Sequence, residues 1–153
     1  MRFAGSGRFV FIAQWVLAVL LPIFFFIGRG WVGADVGWLG LVGIVYGIFT
    51  ILILLVPPLL TLFDPEARKK RSTRLGYDVA TILLWLTILV GALTVPDSGD
   101  SGHLDSALTT WTGIPYETSE AIFYATAVVL GIAYLVAFVL AVVGIVRGRR
   151  VAS

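Results

Sequence analysis

The side chains that could do chemistry in this chain crowd into one stretch. Asp97, Ser98, Asp100, Ser101, His103, Asp105 and Ser106 all fall between positions 97 and 106. Three nearby carboxylates invite a calcium loop, because a hard cation wants several oxygen ligands. The spacing fails that pattern: Gly99 stands where the second ligand belongs, and no glutamate follows at the bidentate position. The acids therefore read as a solvated loop. His103 is the single histidine, so neither a multi-histidine zinc site nor a bis-histidine haem can be built, and it reads as a surface residue. The serines lie in no nucleophile-elbow context. There is no cysteine, which excludes disulfides, thiolate metal sites and thiol redox chemistry. The expectation is a chain that is not an enzyme, with no catalytic residue, no metal and no cofactor.

The apolar stretches offer a second set of candidates. Asp78 follows Arg74 by four residues, the spacing of a local ion pair on a helix. Gln14 and Thr81 reach similar depth from the same membrane face, and a hydrogen bond between them would join two helices, worth roughly 0.6 to 2 kcal/mol. Trp85 lies near mid-bilayer, away from the interfacial belt that tryptophan favours, and packing against a glycine face is the simplest role for it. Ion-coupled transport generally needs an ionisable side chain within the bilayer, and none stands clear of the interfacial turns.

What must position these residues is a set of membrane helices. Hydrophobic residues make up 59% of the 153 and the mean hydropathy is +0.99, whereas a soluble domain is typically about 45 to 50% apolar. Four stretches, 9–27, 38–63, 75–95 (with Asp78 in its first turn) and 121–146, are long enough for a hydrocarbon core, which takes about 20 residues. Apolar residues surround each of them instead of alternating with period two, so they predict helices and not barrel strands. Arg2 and Arg8 before the first stretch, and Val32-Gly33-Ala34 after it, loosely resemble a secretory signal. The apolar run is too long for a signal core, and three more follow.

Charge sets the orientation. Arg2 and Arg8 precede the first span; Arg68, Lys69, Lys70, Arg71 and Arg74 lie between the second and third; Arg147, Arg149 and Arg150 follow the fourth. Only Arg29 falls on the other side, where the 96–120 connection has acids and no Lys or Arg. By the positive-inside rule both termini are cytoplasmic. The net charge of +2 thus reflects topology and does not imply nucleic acid. A preference for Arg over Lys, with abundant Gly, Ala, Val and Leu, fits a high-GC bacterial coding bias and so a bacterial plasma membrane.

The first two connections are short enough to join antiparallel neighbours. The whole chain therefore predicts one all-α membrane domain, four transmembrane helices in an up-down-up-down bundle. Asp64-Pro65-Glu66 reads as an N-cap, a proline at the first helical position and a first-turn acid, opening a short cytoplasmic helix. Pro57-Pro58 predicts a kink or a helix end. The tandem Asp-Ser-Gly at 97–102 reads as flexible turn chemistry. Leu104, Ala107, Leu108 and Trp111 recur on one helical face, predicting a two-turn helix at the membrane surface, and Thr118 or Ser119 would cap the final span.

Two surfaces stand out for binding. Arg68, Lys69, Lys70, Arg71 and Arg74 would meet anionic lipid headgroups, or simply anchor the topology. Ala121, Ala125, Ala133, Ala137 and Ala141 lie on an i+4 ladder broken only by Val129 and continued by Gly144 and Gly148, and the second span offers Gly40, Gly43 and Gly47. Small residues let backbones approach closely in lipid, either within one chain or between copies. The expected function is a non-enzymatic accessory or scaffolding component that binds partners or lipids, in a homo-oligomer or a membrane complex. A small oligomeric transporter or a holin-like pore former is the alternative.

Overall fold

The structure, a computed structural model, describes residues 5–152; Arg2 lies outside the described residues. Among the described residues four helices are long and apolar enough to cross a membrane: α1 (Gly7–Phe26), α2 (Trp38–Thr61), α4 (Leu75–Thr94) and α6 (Tyr116–Ala152). Between them lie a 3-10 turn (Gly28–Val32), α3 (Pro65–Lys70), a hairpin of β1 (Asp97–Gly99) and β2 (Gly102–Leu104), and α5 (Ala107–Thr112). This is an all-α membrane protein. Large apolar side chains such as Ile12, Val16, Ile44, Val45, Ile48, Leu86, Val128 and Leu135 point outward, and lipid is the solvent that accommodates so much exposed apolar surface.

The starts of α1 and α4 meet where Thr73 N donates to Gly7 O. The end of α2 joins them through Thr61 and Gln14, and the end of α6 comes beside Asp64 through Gly144 and Gly148. These form the basic end of the bundle; the hairpin and α5 cover the opposite, acidic end. α1 packs on α2 and α4, and α6 packs on α4 and α2. The helices joined by the second connection, α2 and α4, are thus not close-packed neighbours as its shortness predicts: α3 carries the chain across the bundle.

Packing differs along the bundle. Toward the basic end, Ala133, Ala137 and Ala141 are buried in one cluster with Val10, Ala18, Leu54, Tyr77 and Leu84. Beyond them, added Cβ atoms at Gly144 and Gly148 would run into the Asp64 carboxylate. Toward the acidic end the ladder turns outward, with Ala121 and Ala125 exposed. There an apolar cavity of about 210 Å³ opens among Pro22, Phe25, Ile88, Gly91, Phe123 and Ala127, its walls drawn from all four spans. Gly43 and Gly47 face Phe26 of α1 and not the α6 ladder.

Several local expectations are revised. α2 includes Pro57 and Pro58 and ends three residues beyond them at Thr61, close to the helix end those prolines predict, with the tighter bonds Leu62 N to Leu59 O and Phe63 N to Leu60 O. The tandem Asp-Ser-Gly is not loose: it forms the turn of a hairpin in which Asp97 stands opposite Leu104, Ser98 opposite His103 and Gly99 opposite Gly102. Leu104 therefore belongs to β2, and the surface helix α5 begins at Ala107 behind the Ser106 cap. α6 starts at Tyr116, directly after Pro115, a residue suited to a helix entrance. Thr118 and Ser119 lie inside it, and the Ser119 hydroxyl bonds Ser106 Oγ at 2.7 Å and Thr94 O at 2.8 Å. At 37 residues α6 is roughly 55 Å long, so it outruns a bilayer core, and its final turns carry Arg147, Arg149 and Arg150.

Candidate functional site

The basic end is organised by one carboxylate. Asp64 caps α3 by accepting from Glu66 N at 3.0 Å and Ala67 N at 3.3 Å, as the Asp-Pro-Glu pattern predicts. It also receives Arg74 Nε at 3.0 Å, and Arg74 reaches Glu66 at 2.9 Å. Arg74 is buried, whereas Arg68, Lys69, Lys70 and Arg71 are exposed. Arg71 ends α3 in the left-handed region with φ 48°, and the chain reverses there.

Asp78 does not pair with Arg74 as its spacing predicts. Arg74 turns to Asp64 and Glu66, while Asp78 accepts from Ser6 Oγ at 3.0 Å and from Thr73 Oγ1. Thr73 thus ties α4 to the start of α1, since its hydroxyl also approaches Gly7 O at 3.1 Å. Gln14 does not bond Thr81. Its oxygen accepts from Tyr77 OH at 2.8 Å, and its amide donates to Thr61 Oγ1 at 3.3 Å and Phe11 O at 3.2 Å. Thr81 Oγ1 is buried, and among the described residues no group lies within hydrogen-bonding geometry of it. It lines, with Gln14, Pro57 and Trp85, a cavity of about 10 Å³, the scale of a single water. Trp85 meets the edge of Phe9 at 6.4 Å between ring centres. The reason for the Gln14 rearrangement is the placement of α1 between α2 and α4: its polar side chain faces both, and Tyr77, one helical turn earlier than Thr81, reaches it first.

The acidic end holds a pair that spacing did not reveal. Arg29 is fully buried, and its guanidinium forms a salt bridge with Asp97 and donates to Val95 O at 2.9 Å. Asp97 also accepts from Gly37 N at 2.7 Å, Leu39 N at 2.9 Å and Ser98 N at 2.8 Å. A side chain at Gly37 would collide with Ser98 O, so only glycine lets its N–H come this close. Burial pushes the Arg29 pKa down, while Asp97 and Asp35 push it back up. An arginine stays charged at neutral pH under such opposing influences, and Asp97 is therefore its counter-ion and not part of a solvated loop. The signal was present: Arg29 is the one cation on the acid-rich side, at the very end of a span. Ser106, another candidate by residue type, serves as the cap of α5, accepting from Thr109 N at 3.1 Å.

Beside this clamp lies a groove of about 410 Å³ whose walls include Trp38, Ser98, His103, Tyr116, Glu120 and Tyr124. The rings of His103 and Tyr116 stand 4.6 Å apart, and Tyr124 OH donates to Glu120 at 3.4 Å. Phe123 belongs to both this groove and the apolar cavity below. Among the described residues no cluster of three metal-ligating side chains occurs. Comparison with protein-family models, curated sequences and solved structures gives no match.

Proposed function

We propose that this protein is a non-enzymatic, multi-pass component of a bacterial plasma membrane that works by binding lipids or partner proteins, with both termini cytoplasmic. The observation that carries this reading is the arrangement of polar groups inside the bundle. Gln14 accepts from Tyr77 and donates to Thr61, and Val10, Ala18, Leu54, Leu84 and Ala137 pack together toward the basic end. A conducting or alternating-access path calls for polar or ionisable groups lining a passage, and the packed half of the bundle favours a fixed body over a moving one. Cavities at the acidic end and exposed cations at the basic end supply surfaces for binding. The alternative, a small oligomeric transporter or pore, would place its path between copies.

Purified protein in liposomes separates these readings. Entrapped dye and ion gradients are expected to decay no faster than in protein-free vesicles; a robust, substrate-specific flux would replace binding by transport. Orientation is checked by reporter fusions, expected to be cytoplasmic after Ser72 and exported near Ser101.

A further inference from the structure

The two acidic-end cavities fit one kind of molecule. The apolar cavity is lined by Pro22, Phe25, Ile88 and Leu130. At about 210 Å³ it is far larger than the roughly 10–15 Å³ that admits one water, room for an alkyl segment. The groove presents aromatic faces and two carboxylates, Glu120 and the Arg29-paired Asp97, with no Lys or Arg among its lining residues. Aromatic faces attract ammonium groups electrostatically. The same end carries Asp35, Asp100, Asp105 and Glu117, which raise the local concentration of cations. A phosphate head finds no partner there, because the arginine of that end, Arg29, is buried and engaged by Asp97 and Val95 O. Phe123 lies on both cavities, with its ring 6.4 Å from that of Phe25, so head and tail sites are adjacent.

We propose that the acidic end binds a single-chain amphiphile with an alkylammonium head, the head among Trp38, Tyr116, Glu120 and Tyr124 and the chain in the apolar cavity. This deepens the binding function proposed above and rests on it. Glu120 supplies the charge opposite the ammonium, held toward the aromatic wall by Tyr124 OH. The Arg29–Asp97 clamp keeps the hairpin wall of the groove in place and removes a cation that would repel the ligand.

The test is equilibrium titration into nanodiscs of phosphatidylcholine, with empty nanodiscs subtracted, using dodecyltrimethylammonium and dodecanoate as probes. Saturable binding of dodecyltrimethylammonium is expected, with dodecanoate weaker by about tenfold or more. Glu120→Gln should weaken the cationic probe by about tenfold. Glu117→Gln, which removes the same charge from an exposed position outside the groove, should leave its affinity within about twofold. Ala127→Phe, which fills the cavity, should weaken it as well, with the thermal midpoint of each variant confirming the fold. Equal binding of the two probes, or equal loss in Glu117→Gln and Glu120→Gln, would overturn the site and reduce it to surface attraction. Neither result bears on vesicle flux, so the wider binding function stands or falls separately.

Discussion

Each end of the bundle buries an arginine against an aspartate, and the two pairs are built differently. At the basic end Arg74 and Asp64 are ten residues apart, Asp64 doubles as a helix cap, and Glu66 shares the guanidinium. At the acidic end Arg29 and Asp97 are separated by 68 residues and two transmembrane helices. Their environment is drier, with side-chain exposures of 0% and 3% against 8% and 4% at the basic end. The basic pair orders a local turn that its own sequence already favours. The acidic pair fastens the 3-10 turn after α1 to the hairpin after α4, and the same Asp97 carboxylate holds the hairpin to the start of α2 through Gly37 N and Leu39 N. A charge pair contributes most to structure where it closes a long loop, and costs most when half of it is removed.

The largest effect should follow from halving the acidic pair. Arg29→Met leaves Asp97 buried without its cation, a loss of about 3–5 kcal/mol, read as a large fall in thermal midpoint in detergent and faster proteolysis near the hairpin. The double variant Arg29→Met with Asp97→Leu should recover much of that loss, because two matched apolar residues leave no orphan charge. If the single variant melts like the parent, the clamp is not structural.

A smaller effect is expected at the basic end. Asp64→Ala removes a cap worth about 1 kcal/mol and one of two carboxylates on Arg74, while Glu66 remains. The loss should stay about 2 kcal/mol or less, well short of the Arg29→Met value. A larger loss than at Arg29 would invert the comparison and make Asp64 the principal fastening of the molecule.

The smallest effect on stability, and the most selective on binding, concerns the exposed cations. Replacing Arg68, Lys69, Lys70 and Arg71 with glutamine should leave the thermal midpoint nearly unchanged and lower the preference for anionic over neutral lipid several-fold, as native mass spectrometry would show. Arg74→Gln alone should do the reverse, weakening the fold with little change in lipid preference. No lipid preference in the parent, or one untouched by the fourfold change, would leave these residues as topological anchors.

Much of this was legible in the residues. Four apolar runs specified four helices, because in lipid a chain segment must satisfy its own backbone hydrogen bonds and length alone then fixes a span. Asp64-Pro65-Glu66 specified the start of α3, because a cap acts on N–H groups two and three residues away. Ala133, Ala137 and Ala141 marked a face that could pack closely, because their i+4 spacing is a property of one helix. What concerned pairs of distant segments was not legible. Gln14 and Thr81 were matched by depth, yet depth says nothing of rotation about a helix axis, and Tyr77 took the place of Thr81. Arg74 and Asp78 were matched by spacing, yet a buried arginine goes where two carboxylates converge. The partnership of Arg29 with Asp97, the absence of close packing between α2 and α4, and the placing of Phe123 on both the groove and the apolar cavity were decided only when four helices settled around one another. Local rules act through a few backbone bonds, whereas these contacts depend on which faces the whole bundle turns inward.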